Sequence, residues 1–201
     1  MNFDFNVAQN LTLGRLRAKI KKKREGMEMN ETLKTIKTRR SVKKFKDEMP
    51  KREDIDAIID AGLRAASGRN MQSAIVVAVT NKELRDKLAR ANAALMGASG
   101  DPFYGAPAVL VVLAKRDFPT YIYDGSLVMG NMLIAAHSLG IGACWVHRAR
   151  EVFEMKEWRE WLRTMGVADE YEGIGNCIIG YLDGEYPAPK EIREGRVFFA
   201  D

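Results

Sequence analysis

The sequence predicts one domain in which a central sheet is covered on both faces by helices. Three observations predict it. Helical and strand-like stretches alternate along the chain. The strand candidates are unbroken apolar runs, such as residues 108–114 (AVLVVLA). The helical stretches each carry a single apolar face. A strand that is apolar on both sides needs cover on both sides. With 201 residues, 46% hydrophobic and 29% charged, the chain has material for one well-packed core.

The elements follow in order. Asn30 or Thr32 can cap a helix reading Leu33, Ile36 and Lys37, and Pro50 opens a second with Ile55, Ile58, Ile59 and Leu63 on one face. Ser67-Gly68 breaks that helix near Ala66. Residues 74–80 (AIVVAVT) are rich in β-branched side chains and read as a buried strand. Residues 82–94 are helical with Leu84, Leu88 and Ala91 inward, residues 97–105 form a loop, and 108–114 are the second strand. Residues 124–139 form an apolar helix with Leu127, Val128, Asn131, Leu133, Ile134 and Ala135 inside, closed by Gly140. Residues 143–146 are a third strand, 151–165 one amphipathic helix carrying Phe153, Trp158, Trp161 and Leu162, and 176–182 a fourth strand. Beyond a turn-rich, Pro-containing arm, 196–199 (RVFF) is a short strand candidate able to pair with another sheet edge.

Charge and special residues narrow the function. The net charge is +5, but residues 1–30 hold seven basic and three acidic residues, a net +4, which leaves a nearly neutral body. Residues 1–29 therefore read as a basic extension, disordered or helical, to a domain of residues 30–201. Nucleic acid is not an expected partner, because no aromatic interleaves those cations to stack bases. No apolar run approaches the length of a membrane span, and no signal-peptide core opens the chain, so cytoplasmic residence is expected. Cys144 and Cys177 lie in apolar segments without a CxxC spacing and read as reduced, buried thiols. The two histidines, His137 and His147, lack metal-ligand spacing, so no metal site is expected; His137 reads as a satisfied core histidine.

Three segments carry candidate chemistry. Arg39, Arg40, Ser41 and Lys43 gather cations and a hydroxyl, which suits a phosphate, or else form a solvated basic turn. Ser67, Gly68, Asn70 and Gln72 form a small polar loop that suits the hydrogen-bonding rim of a flat heterocycle, or else a plain helix-to-strand connection. In residues 140–147 (GIGACWVH), small residues let a backbone approach a flat ligand. Trp145 there is a core or a cofactor residue, and His147 a ring-edge donor or a strand-end polar group. Lys190, Arg193 and Arg196 offer late-chain cations. With no Walker loop, no full GxGxxG and no placeable Ser–His–Asp set, the pattern favours a bound redox cofactor that carries the hard chemistry.

Five segments in this order resemble the nitroreductase family of FMN enzymes: RRSVKKF (39–45), ASGRNMQ (66–72), GAPAVLVVLA (105–114), DGSLVMGNMLIAAHSLGIGACWV (124–146) and YEGIGNCIIGYLDGEYP (171–187). The resemblance implies an α+β fold with a central mixed sheet flanked by helices, in an intertwined homodimer with FMN at the subunit interface. It implies that Arg39, Arg40 and Ser41 contact the phosphate and ribityl chain, and that Lys43 approaches the pyrimidine side. Ser67, Asn70 and Gln72 would line the flavin, Ser67 from the other subunit. Trp145, Val146 and His147 would lie along the ring, and Lys190 or Arg193 would complete the phosphate clamp. Ser73-Ala74 stands where many members have Pro-Trp, and Lys190 and Arg193 are three residues apart where the family pattern has two.

The activity so implied is hydride transfer from NADH or NADPH, by a ping-pong route, to an electron-poor small molecule such as a nitroaromatic or quinone. No side chain acts as nucleophile; Lys43 has an electrostatic role. Pocket walls are expected from Met96, Phe103, Tyr104, Phe118, Tyr121 and Tyr123. The alternatives are another redox chemistry on the same fold, dehalogenation or dehydrogenation, or a non-enzymatic flavin- or nucleic-acid-binding protein using the basic extension.

Overall fold

A computed structural model describes residues 30–200. The basic extension of residues 1–29 lies outside the described residues. The chain divides into two units, Met1–Lys37 and Thr38–Asp201. In the first, Asn30 Oδ1 accepts the Leu33 N–H at 2.9 Å and caps α1 (Glu31–Thr38), whose last residue opens the second unit.

The second unit contains α2 (Arg52–Leu63), β1 (Ala74–Val79), α3 (Lys82–Met96), β2 (Ala108–Lys115), α4 (Tyr121–Ser138), β3 (Gly142–Val146), α5 (Ala149–Glu154), α6 (Lys156–Thr164) and β4 (Tyr171–Gly180). The strands form one sheet in the order β1-β2-β4-β3 with every ladder antiparallel. The parallel contact that makes the sheet mixed is a bridge from Ser41 to Ala143.

The alternation of β2 sorts the core into two. Ala108, Leu110, Val112 and Ala114 face Ile55 and Ile58 of α2 and Val128, Met129 and Met132 of α4. Val109, Val111 and Leu113 face Leu88 of α3, Val152 and Phe153 of α5, and Trp158 and Leu162 of α6. This is the two-sided cover expected of an unbroken apolar strand. Phe153, Trp158 and Trp161 pack with edge-on contacts, the Trp158–Trp161 centroids lying 5.5 Å apart.

The structure differs from the sequence expectation in four places. The single helix expected over 151–165 is two, because Met155 is extended (φ −65°, ψ 138°) between α5 and α6. The buried face of α4 is Asp124, Gly125, Val128, Met129, Met132 and Ala136; Leu127 is half exposed, and Asn131, Leu133, Ile134 and Ala135 are only partly covered. Residues 196–199 form no strand within this chain, and Val197, Phe198 and Phe199 are exposed. Finally, the fourth strand begins at Tyr171, five residues earlier than expected, and ends at Gly180.

That early half of β4 reads poorly as a strand because it contains Glu172, Gly173, Gly175 and Asn176. Each is placed by its neighbours. Glu172 is 2% exposed and takes a hydrogen bond from the Tyr121 hydroxyl at 3.0 Å, with Arg150 Nε at 3.3 Å. Gly173 lies where the register with β2 slips, so that Val112 faces Gly175 and Leu113 faces Gly173, bulging Ile174. A Cβ on Gly173 would overlap the Ala149 carbonyl group and approach the Arg150 nitrogen to 2.7 Å. Gly173→Ala is therefore expected to destabilise the protein by about 2–3 kcal/mol, seen as a lower urea midpoint at unchanged m-value.

Candidate functional site

The cationic segment is docked on β3 by its one apolar residue. Val42 is fully buried, and its N–H donates to Ala143 O at 3.0 Å. A Cβ on Gly142 would come within 2.9 Å of the Val42 side chain, so this glycine makes room for Val42. Gly140, at φ +74°, ends α4. The two glycines of the GIG sequence thus serve a turn and a packing contact, where the sequence suggested room for a flat ligand. With Val42 turned in, Ser41 and Lys43 are turned out, as strand alternation requires.

Beside this segment is a cavity of about 860 Å³ lined by Arg39, Arg40, Ser41, Lys43, Met96, Tyr104, Cys144, Trp145, Val146, His147, Arg148 and Lys190. That volume is in the range of small-molecule sites. Among the described residues, five cationic side chains line it and no carboxylate does. Arg148 pairs with Glu151 at 2.7 Å. The side chains of Arg39 and Lys190 make no ion pair or hydrogen bond among the described residues, and the Lys43 ammonium sits 5.3 Å over the Tyr104 ring. Trp145 is 36% exposed on the cavity wall, its ring over Gly175, where a Cβ would come within 2.7 Å of Trp145 Cε2. Trp145 is thus a cavity residue rather than a core one.

Eight of the expected site residues meet here: Arg39, Arg40, Ser41, Lys43, Trp145, Val146, His147 and Lys190. Arg193 does not line this cavity. Ser67 and Gln72 line a different one, of about 350 Å³, beside Asp124 and Val128. Asn70 is tied to that loop by Gln72 Nε2, which donates to Asn70 Oδ1 at 3.1 Å, while the Gln72 N–H donates to Ser67 Oγ at 3.0 Å. Of the expected aromatic walls, Met96 and Tyr104 line the first cavity; Phe103 is fully buried in the core, Tyr121 is bonded to Glu172 and Tyr123 is 70% exposed.

The non-glycine residues at positive φ in the described chain are Arg69, Asn70, Gln72, Tyr104 and Arg148, all in the two candidate loops or the cavity wall. Such backbone persists only where its surroundings over-determine it. Here they do. Asn92 and Asn176, both fully buried, donate to the His147 carbonyl at 2.8 and 3.3 Å and hold the 147–148 turn. Asp124, 3% exposed, accepts from Gly68 N–H at 3.0 Å, Ser73 Oγ at 3.0 Å and Thr120 Oγ1 at 3.1 Å, and so anchors the 67–72 loop. Ser73, 7% exposed, is one of these anchors. Sequence reading missed all three polar groups; a lone Asn or Asp on an apolar helical face, for Asn92 and Asp124, or within an apolar strand, for Asn176, was the available signal.

Cys144 and Cys177 are buried and unbridged, and burial pushes the Cys177 thiol up to about 12. The packing reading of both cysteines therefore agrees with the structure. His137 is not a core residue. Its Nε2 lies 2.8 Å from Thr38 Oγ1 and its Nδ1 3.0 Å from the Tyr186 hydroxyl.

These features match known proteins. The family model of the nitroreductase family matches residues 36–100 and 94–181, and the chain belongs to that family. A protein of Archaeoglobus fulgidus carrying the provisional name NADH dehydrogenase/NAD(P)H nitroreductase is 33% identical over 177 residues, covering 84% of this chain and 97% of the relative. A nitroreductase from Bacteroides fragilis solved with bound FMN superposes with a TM-score of 0.79 at 27% identity, covering 86% of this chain and all of that one. A nitroreductase from Desulfitobacterium hafniense, also with bound FMN, gives 0.77 at 28% identity, covering 87% of this chain and all of that one.

Burial, then the charges of Arg39 and Arg40, hold the His137 imidazole below its ordinary range. As pH falls below about 6.5 the unfolded chain takes up this proton first, so the stability associated with neutral His137 is present above that pH and is lost toward the depressed folded value. Wild-type melting temperature is expected to fall more steeply between about pH 7 and about pH 5 than that of His137→Gln.

Proposed function

We propose that this chain is an FMN-dependent oxidoreductase that passes hydride from NAD(P)H to an electron-poor small molecule of nitroaromatic or quinone type by a ping-pong route, as a homodimer in the cytoplasm. The observation that carries this reading is the cavity rimmed by five cationic side chains without a carboxylate, with an indole on its wall. A dianionic phosphate attached to a flat ring fits that donor set. Among the described residues no helix is long and apolar enough to cross a membrane. Residues 1–29 are read as an accessory basic extension to the domain of residues 30–201.

FMN, when bound, would supply two-electron redox chemistry between a nicotinamide and the acceptor. Arg39, Ser41 and Lys190 would hold its phosphate, and Arg40 adds charge while stiffening the turn, its Nη1 donating to Arg39 O at 2.7 Å. Lys43 would offset negative charge at the pyrimidine edge. Trp145, Val146 and His147 would line the ring and exclude water from it. Met96 and Tyr104 line the same cavity, where donor and acceptor would bind in turn, and no side chain is needed as a nucleophile.

The separation of the 67–72 loop from this cavity supports the dimer. Ser67, Asn70 and Gln72 would complete the site of the partner copy, giving two sites per dimer. Exposed apolar residues flank that loop: Leu63 and Met71 beside it, Ile122, Tyr123 and Leu127 on α4. Exposed apolar residues grouped on neighbouring segments suit an interface.

Purified protein is expected to carry a flavin absorption band that NADH or NADPH bleaches anaerobically and a quinone or nitroaromatic restores. Flavoprotein that neither nucleotide bleaches would overturn the reductase reading. For the shared site, Arg39→Ala and Gln72→Ala are each expected to weaken FMN binding at least tenfold, about 1.4 kcal/mol. A heterodimer of the two variants should regain wild-type affinity at half its sites. No recovery would place both residues in one chain's own site.

A further inference from the structure

We infer that Tyr186 and His137 form a latch that sets the phosphate corner by holding the C-terminal arm against the Arg39–Ser41 turn. This rests on the FMN reading above and assigns positioning roles to two residues outside the cavity lining.

The latch is a single chain of hydrogen bonds. The Arg40 backbone N–H can only donate, and it lies 2.7 Å from the Tyr186 hydroxyl oxygen. The same hydroxyl is hydrogen-bonded to His137 Nδ1, 3.0 Å away, and His137 Nε2 to Thr38 Oγ1 at 2.8 Å. In the neutral imidazole one ring nitrogen donates and the other accepts, so either tautomer completes the chain. The two rings also stack, with centroids 5.3 Å apart and planes at 25°. Arg40 Nε adds a longer contact to Ala188 O at 3.4 Å. One tyrosine therefore joins the end of α4, the backbone of the cationic turn and the arm.

The arm turns this tie into cofactor geometry. Tyr186 is followed by Pro-Ala-Pro-Lys, which ends at Lys190 on the cavity wall. Prolines at 187 and 189 fix φ at two of the intervening positions, so the tether between the latch and the Lys190 ammonium is stiff. Anchoring Tyr186 thus decides where Lys190 descends, and the same bond fixes the Arg40 peptide between the two residues expected to grip the phosphate. Neither latch residue lines the cavity, so the latch acts on the anionic tail through Arg39, Ser41 and Lys190 and leaves the ring's own contacts alone.

This sets apart a latch from a general structural role. Dissociation of FMN, and separately of riboflavin, from the loaded protein is followed by flavin fluorescence for wild type, Tyr186→Phe and His137→Phe. Both variants keep an aromatic ring at the stack and remove the hydrogen-bond chain. Each is expected to release FMN about tenfold faster, with riboflavin release within about twofold of wild type and an unchanged circular dichroism spectrum. In a Lys190→Ala background, Tyr186→Phe is expected to add less than in wild type, because the two act on one contact. Equal acceleration for both flavins, or no change for FMN, overturns the latch while leaving the cofactor assignment intact. A wild-type protein that retains neither flavin overturns the cofactor assignment and the latch with it.

Discussion

The site depends on how one valine is seated. Val42 is the apolar residue in a run of cations, and its burial beside β3, with its N–H on Ala143 O, fixes which neighbours face outward. A segment of like charges has no reason of its own to hold one shape; it would repel itself and stay solvated. Burying a single β-branched side chain on the space left by Gly142, with further bonds from Lys46 N to Tyr181 O and Asp183 N to Lys44 O, aligns it along the sheet. The charge density of the cavity follows from that alignment.

A second layer of support is polar and buried. Asn92 and Asn176 hold the His147 carbonyl, Asp124 holds the start and end of the 67–72 loop, and Glu172 ties Tyr121 to β4. These groups are costly to bury unpaired, and Asn92, Asn176 and Asp124 hold the turns that contain the left-handed residues Arg148, Arg69, Asn70 and Gln72. The rigid sheet supplies position and the buried amides and carboxylates supply loop conformation. Among the described residues, Arg39, Lys43 and Lys190 have no carboxylate partner at the cavity, a state that suits an anionic ligand where water still reaches the side chains.

The family places this chain among flavin enzymes whose cofactor does the chemistry. The cavity fits that division of labour. It contains no nucleophile placed for attack: Cys144 is buried at its wall, and Ser41 is an exposed hydroxyl among cations. What the residues provide is charge, an indole surface and an open face. The separate position of the 67–72 loop in the same chain makes assembly of two copies the natural way to bring amides and cations together.

Much of the fold was legible in the residues because its strongest signals are local. Residues 108–114 are apolar without interruption and are a central strand, and the helix expected over 82–94 is α3, which Asn81 caps and Gly97 ends. The cationic run likewise pointed to residues that line the cavity, and the order of the five segments to the family. The first half of β4, residues 171–175, was not legible, because Glu172 and Gly173 are strand residues only once Tyr121 and the Ala149 backbone are beside them. The break at Met155, the rotation of the α4 face toward Met129 and Met132, and the fate of residues 196–199, which have no strand partner among the described residues of this chain, were equally beyond it. Local propensity and periodicity are properties of neighbours along the chain, so the sequence by itself determined the elements and the charge of the site. Which buried polar atom meets which distant backbone group is a property of packing, so the loops, the Trp145 wall and the His137–Tyr186 pair were decided only in three dimensions.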